Sequence, residues 1–187
     1  MATAEELING ARDRMAKSVE HARAEFATVR TGRASASLLD RIEVDYYGTQ
    51  TPLRQLSTIN VPEPRMLTVQ PFDPSSIRTI EKAIQESDLG LTPSNDGKLI
   101  RLPIPQLTEE RRKELVKVVR HMAEEGRVAV RNVRRDAIKH LEELVRNGDV
   151  GDDEERAAET KVQKLTDEHV HQIDDLLKRK EAEIMEV

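Results

Sequence analysis

Residues 109–146 read EERRKELVKVVRHMAEEGRVAVRNVRRDAIKHLEELVR, and this stretch decides the fold. Its apolar residues recur at alternating steps of three and four, a mean step of about 3.5, which is typical of a helix in a coiled coil or bundle. Thr108 is a good N-cap, and Asn147 and Gly148 form a usual helix end. We therefore predict one long helix whose buried face consists of Leu115, Val119, Met122, Gly126, Val130, Val133, Ala137, Leu141 and Leu144.

Two further segments, residues 4–30 and 153–185, carry the same spacing at the two ends of the chain. Thr3 with Glu6 predicts a capping box at the start of the first, and Asp152 with Glu155 predicts another at the start of the last. The predicted buried positions of the first are Ile8, Ala11, Met15, Val19, Ala22, Phe26 and Val29, and those of the last are Ala158, Val162, Leu165, His169, Ile173, Leu176 and Ile184.

The few residues between the second and third helices predict that these two pack antiparallel. A two-helix hairpin leaves apolar surface open on each helix, and the N-terminal helix supplies the missing partner. We therefore predict an α+β fold. Residues 1–30 and 107–187 form a discontinuous bundle of three long antiparallel helices, and residues 31–106 form an inserted small β/α/β domain.

The inserted segment holds all eight prolines and both tyrosines. Alternation of Ile42, Val44 and Tyr46 predicts a strand, which we expect to include Tyr47 and to bury one of the two tyrosines. Strands are also predicted near 58–61 and 66–70, then a helix running toward residue 90, and a hairpin strand over 98–104. The two joints of this segment, where we expect a hinge, are Thr31-Gly32 and Pro103-Ile104-Pro105.

The composition excludes several classes of function. The chain has no cysteine, so disulfides, thiolate metal sites and cysteine nucleophiles are all absent. No apolar run reaches the roughly 18 residues of a membrane span, and the polar, acidic N-terminus is unlike a signal peptide, so we expect a cytoplasmic protein. The five histidines form no catalytic or metal-binding pattern, and His169 falls on an apolar face as a structural residue. We expect neither enzymatic activity nor a cofactor.

The net charge of −5 is divided unevenly along the chain. Residues 109–140 hold ten Lys/Arg and six Asp/Glu, whereas residues 149–187 hold six Lys/Arg and thirteen Asp/Glu. At 100° per residue, five cations of the middle helix fall within about 60°, and we expect them to face away from the buried face and to bind phosphate. We name these five the arginine stripe: Lys113, Arg120, Arg127, Arg131 and Arg134.

The pattern leaves alternatives open. A solvated face balanced by acids is the plainer interpretation of the stripe, and charge alone does not separate structured RNA, DNA and an acidic protein surface. Arg30 and Arg33 flank Gly32 and form a second basic cluster. Gly126 makes its helix about 1 kcal/mol less stable than alanine would. Either a close approach of another helix requires a glycine here, or the helix is locally less stable at this position.

Four motifs at these separations make the chain similar to the bacterial ribosome recycling factors: VRTGRAS (29–35), SDLGLTPSNDGKLIR (87–101), PQLTEERRKELVK (105–117) and VAVRNVRRDA (128–137). The resemblance implies a bundle and an inserted domain joined by a mobile hinge. It implies a monomer that binds the large ribosomal subunit after termination and, with elongation factor G and GTP, splits the ribosome. Arg112, Arg131 and Arg134 are then the main RNA contacts, and Arg30 and Arg33 are further ones. The alternative is a helical adaptor that binds an acidic protein partner.

Overall fold

The computed structural model describes residues 3–186, which fall into two compact units. One unit contains the chain up to Arg30 and from Glu109 onward, and the other is Thr31–Thr108. The α-helices are α1 (Ala4–Ala27), α2 (Leu53–Leu56), α3 (Ile77–Glu86), α4 (Glu109–Arg146) and α5 (Asp152–Met185), and the strands are β1 (Glu43–Tyr46), β2 (Thr49–Pro52), β3 (Ser57–Glu63), β4 (Met66–Pro71), β5 (Ser94–Asn95) and β6 (Ile100–Pro103).

The first unit is a bundle of the three long helices, α1, α4 and α5, each packed against the other two. Helix α4 runs antiparallel to both α1 and α5, in agreement with the prediction. The capping box at Thr3 is confirmed, because Thr3 Oγ1 accepts from Glu6 N at 3.2 Å and Glu6 Oε2 accepts from Thr3 N at 2.9 Å. His169 is buried, with Nδ1 lying 2.6 Å from Leu165 O, and is the structural histidine expected from its position.

The buried face of α4 differs from the prediction at Met122 and at Leu144. Ala123 is fully buried, whereas Met122 is only half-buried. Helix α4 packs against both α1 and α5, so its buried face is wider than the single row of apolar residues that the spacing predicted. Near residue 122 this face includes Ala123 in place of Met122. Three positions predicted as buried are half-buried instead: Val29, which lies beyond the end of α1, and Leu144 and Leu176.

Two predicted helix ends also need correction. The first helix ends at Ala27, three residues earlier than expected. The capping box at Asp152 is wrong, because Gly151 is the N-cap and Asp152 already lies inside α5. Glu155 N donates to Gly151 O at 2.9 Å, so the backbone makes this bond and no capping side chain is used. Asp152 and Glu155 lie in the first turn of α5 with two other acids, and their negative charges interact favourably with the positive end of the helix dipole.

The second unit contains two antiparallel sheets, a two-stranded β1-β2 hairpin and a four-stranded sheet in the order β3-β4-β6-β5. The apolar face of α3 helps to form the core, with Ile80 and Ile84 fully buried among the strand residues Leu67, Val69 and Leu102. The predicted strands and hairpin are confirmed, although α3 ends at Glu86 rather than near residue 90.

The two tyrosines have different surroundings, because β1 ends at Tyr46 and Tyr47 lies in the turn that follows. Tyr46 is half-buried and its hydroxyl donates to Asp73 Oδ2 at 3.3 Å. Tyr47 lies outside the strand, contrary to the prediction, with a φ of 51° and 83 % of its surface exposed. A left-handed residue at the end of β1 is required by the tight turn into β2, and it directs Tyr47 away from the core.

An ion pair joins α1 to α4 and makes the stability of the bundle depend on pH. Arg14 Nη2 donates to Asp136 Oδ2 at 2.9 Å, and this bond is the main reason why the pKa of Asp136 lies below its ordinary 3.8. A lowered folded-state pKa contributes stability above the unfolded value, and this contribution is lost as the pH falls through the folded value. We therefore expect Asp136→Asn to lower the urea midpoint at neutral pH, and the difference from the unmutated protein to disappear as the pH falls below the lowered folded-state pKa of Asp136.

The control for this prediction is Asp13→Asn. Asp13 is an exposed carboxylate on α1 that makes no ion pair with any described residue. Urea unfolding of the three proteins across the pH range measures the effect. A difference for Asp136→Asn that stays constant as the pH falls, or one that Asp13→Asn reproduces, would contradict the assignment.

Candidate nucleic-acid interface

The arginine stripe lies beside the buried face of α4, along α5, and does not face away from it as predicted. Arg127 Nε donates to Asp174 Oδ1 at 2.7 Å, and the Arg127 side chain is only 20 % exposed. Arg120 Nε donates to Glu181 Oε1 at 2.5 Å. Both acids belong to α5. The prediction failed because the buried face of α4 is turned toward α5, and this brings the stripe to the edge of the helix–helix contact.

A carboxylate of α4 itself lies between two members of the stripe. Glu124 Oε2 accepts from Arg127 Nη1 at 2.9 Å, and Glu124 Oε1 accepts from Arg131 Nη1 at 3.1 Å. The bond from Arg127 is the largest cause of the lowered pKa of Glu124, so this acid is charged at neutral pH. Lys113 pairs with Glu109 at 2.7 Å. Four of the five stripe residues therefore make ion pairs within the protein. This agrees with the alternative interpretation of the stripe as a solvated face balanced by acids.

Arg134 differs from the other four. It is half-buried, and its Nε is a buried donor without a hydrogen-bond partner among the described residues. A buried donor left unbonded is unfavourable, so it calls for an explanation such as an acceptor supplied by a ligand. Arg134 lines two shallow grooves. One runs between α4 and α5 and includes Thr160, Gln163 and Asp167, and the other lies on α4.

The second groove is lined mainly by cationic side chains from the C-terminal half of α4. Among the described residues, no carboxylate lies within ion-pair distance of Arg134, Arg135 or Lys139, which contrasts with the paired half of the stripe. We name four residues lining this groove the Arg134 surface: Arg131, Arg134, Arg135 and Lys139. Arg135 and Lys139 were not among the RNA contacts predicted from the sequence, although the lack of any acid between residues 127 and 136 was the available signal.

Arg112 is the other arginine whose Nε is buried without a partner among the described residues. It lies in the first turns of α4, one turn before the buried Leu115, and is half-buried. As in Arg134, the Nε of Arg112 can donate a hydrogen bond that no described residue accepts. The sequence analysis placed both residues among the RNA contacts, and that assignment stays a prediction.

The second basic cluster spans the boundary between the units, with Arg30 in one and Arg33 in the other, and both side chains are exposed. Between them Gly32 has a φ of 75°, and a Cβ added there would lie 3.3 Å from Leu107 Cγ. A side chain at this position is thus strained by the backbone and crowded by the chain that leaves the second unit. Arg30 and Arg33 remain predicted RNA contacts.

Residues 3–186 contain no cluster of three or more His, Asp or Glu side chains that could hold a metal ion. None of the described helices is long and apolar enough to span a membrane.

A family model described as "Ribosome recycling factor" matches residues 22–185. The chain belongs to the ribosome recycling factor family. It is 59 % identical over 182 residues to the ribosome-recycling factor of Bacillus subtilis, covering 97 % of this chain and 98 % of that one. The ribosome-recycling factor of Rubrobacter xylanophilus is 57 % identical over 180 residues, covering 96 % and 97 % of the two chains.

Two solved structures of the family are similar over nearly all of both chains. One is a solution structure of a ribosome recycling factor, with 43 % identity, a TM-score of 0.75 and complete coverage of both chains. The other is described as models for the T. thermophilus ribosome recycling factor and the E. coli elongation factor G bound to the E. coli post-termination complex. It has 47 % identity and a TM-score of 0.64, and covers 99 % of this chain and 100 % of that one. The family resemblance and the fold inferred from the sequence are both confirmed.

Proposed function

We propose that this protein binds the RNA of the large ribosomal subunit after termination and, with elongation factor G and GTP, splits the post-termination ribosome into subunits. The observation that supports this most directly is the family match over residues 22–185. The similar structure of a ribosome recycling factor with elongation factor G on a post-termination complex supports the same partners. We place the protein where ribosomes work, in the cytoplasm.

The Arg134 surface is the part of the bundle that we assign to the RNA. Guanidinium groups bind phosphate oxygens in a two-pronged geometry, and a long packed helix holds them at fixed spacings. We also assign to the RNA Arg112, in the first turns of α4, and the exposed Arg30 and Arg33. Arg120, Arg127 and Lys113 contribute less, because carboxylates of the protein already neutralise them.

The chain itself supplies no chemical step in this proposal. The bundle acts as a clamp on the large subunit, and elongation factor G moves the second unit while GTP is hydrolysed on that partner. The chain crosses between the units only twice, so we propose that the hinge lies at Thr31-Gly32 and Pro103-Ile104-Pro105. The left-handed backbone of Gly32 supports a special role for the first joint.

The adaptor alternative has less support. An adaptor needs an open apolar groove, and α1, α4 and α5 bury their apolar faces against one another. On α4, Val118 and Val128 are exposed, but each is only 43 % exposed and the two lie ten positions apart. A grip on another helix requires a continuous apolar face, which these two residues do not provide.

The test is a ribosome-splitting assay on post-termination complexes with elongation factor G and GTP. We expect free subunits to accumulate only when the protein, the GTPase and hydrolysable GTP are all present. The control is Arg23→Ala, which changes an exposed α1 arginine that pairs with Glu20 outside the proposed surface. No gain in free subunits on adding the unmutated protein would overturn the proposal.

A further inference from the structure

Four charged side chains form a continuous chain of hydrogen bonds from α5 to the outer side of α4. Asp174 accepts from Arg127, Arg127 donates to Glu124, and Glu124 accepts from Arg131. Each oxygen of the Glu124 carboxylate bonds one arginine, so both are occupied. We name this set the Glu124 bridge: Asp174, Arg127, Glu124 and Arg131.

The two arginines of the bridge have different surroundings. Arg127 is 20 % exposed and bonded to carboxylates of both α4 and α5, so it is a fixed part of the bundle that holds Glu124 in place. Arg131 is 51 % exposed and forms an ion pair only with Glu124 among the described residues. Its Nη1 faces an oxyanion where an RNA phosphate would otherwise bind. A phosphate must therefore displace Glu124 or bind beside a negative charge.

This arrangement sets Arg131 apart from its neighbours on the same surface. Arg134, Arg135 and Lys139 have no carboxylate within ion-pair distance among residues 3–186. Binding to RNA of arbitrary sequence depends on the number of cations that neutralise phosphates. An internal carboxylate that masks one cation lowers this general affinity, and a specific site recovers the contact when its shape brings a phosphate close. Interfaces gain specificity from contacts that are unfavourable to the wrong partner as well as from contacts that are favourable to the right one.

We propose that Glu124 is a specificity-determining residue, which masks Arg131 from the phosphates of unrelated RNA and releases it only on the large-subunit site. The inference rests on the proposed function. Glu124 touches no RNA in this role. It acts on Arg131, and Arg127 orients it. Loss of its charge therefore strengthens binding to any RNA more than it strengthens binding to the large subunit.

The test compares Glu124→Gln with Glu125→Gln, which removes the same charge one residue away. Glu125 is an exposed α4 carboxylate whose Oε1 lies 3.3 Å from His121 Nε2, and it forms no ion pair with an arginine of residues 3–186. The probes are an A-form RNA duplex of sequence unrelated to the ribosome and purified large subunits, each titrated at several salt concentrations. We expect Glu124→Gln to bind the duplex about tenfold more tightly, with a log–log salt slope steeper by about 0.9, as for one added phosphate contact. Glu125→Gln should change duplex binding by less than about twofold, because Glu125 pairs with His121 and its loss frees no arginine for a phosphate contact.

A second variant shows whether the gain passes through Arg131. In an Arg131→Ala background, Glu124→Gln should no longer strengthen duplex binding beyond the change given by Glu125→Gln. The inference is overturned if the two glutamine variants bind the duplex alike, if Glu124→Gln weakens binding, or if the gain persists without Arg131. Large-subunit binding by the unmutated protein and by Arg134→Ala tests the proposed function separately, so failure of one idea is distinguishable from failure of the other.

Discussion

Arg134→Ala is expected to weaken binding to the large ribosomal subunit by about tenfold to a hundredfold, the effect of losing charge-assisted hydrogen bonds worth roughly 1.5–3 kcal/mol. Arg134 has no ion pair to break within the described protein, so its full charge is available to the RNA. The same substitution should lower the slope of log affinity against log salt by about 0.9 for each phosphate contact that is lost.

The stability of the bundle should change little in this variant. The Nε of Arg134 is already a buried donor without a partner in the described structure, so its removal leaves no new polar group unsatisfied. We expect the free energy of unfolding to shift by less than about 1 kcal/mol, the range of substitutions that break no network. Subunit binding at several salt concentrations and urea unfolding measure the two effects.

Arg23→Ala is the control, since it removes one arginine charge from an exposed position on a different helix. Its large-subunit affinity should stay close to that of the unmutated protein. Unchanged binding by Arg134→Ala at every salt concentration would remove Arg134 from the proposed surface. A loss of affinity accompanied by unfolding would instead assign Arg134 a structural role.

The sequence predicted where the arginine stripe lies on α4 but not what surrounds it. The position around the helix follows from a fixed rotation per residue, and it correctly groups Arg120, Arg127 and Arg131 on one side. The acids that neutralise two of them are 47 and 61 positions away in the chain, on α5. Spacing within one helix carries no information on how a partner helix is aligned along it. The pairing of Arg120 and Arg127 with acids of α5 therefore could not be predicted from the sequence.

The same division between local and distant information holds in the rest of the fold. The capping box at Thr3 is a local pattern and was predicted correctly, whereas the run of acids at residues 152–155 suggested an acidic N-cap although Gly151 is the N-cap of α5. In the second unit the strands follow from alternating apolar residues. The pairing of β4 with β6 joins segments on either side of α3, and such a register depends on packing that spacing alone does not contain.

Gly126 is where packing decides a choice that the sequence left open. A Cβ added to Gly126 would lie 3.1 Å from Ile173 Cδ1 and 3.3 Å from Ala22 Cβ. Those atoms belong to α5 and α1, so all three helices of the bundle meet at this glycine. Ala22 Cβ is fixed to the backbone of α1, and Ile173 is fully buried, so neither neighbour has free space to enter. The glycine marks a close approach of the helices, and not a soft point of α4.

We expect Gly126→Val to lower the free energy of unfolding by about 3 kcal/mol, because overpacking a buried site forces side chains and helices apart. Gly126→Ala should stay within about 1 kcal/mol of the unmutated protein, since the gain in helix propensity of about 1 kcal/mol opposes a smaller overlap. Urea unfolding measures both. Asn132→Val, at an exposed position of α4, is the control for the lower helix propensity of valine.

A double-mutant cycle identifies the contact responsible. Ile173→Val removes Cδ1, the atom nearest to the added Cβ, and by itself should cost about 0.5–1.5 kcal/mol as a buried deletion. In the Gly126→Ala background the same change should cost less, because it also relieves the overlap at 3.1 Å. Additivity of the two substitutions to within about 0.5 kcal/mol would show that they do not interact. The tolerance of Gly126→Ala would then have to come from movement of α1 away from α4, because Ala22 supplies the other close contact.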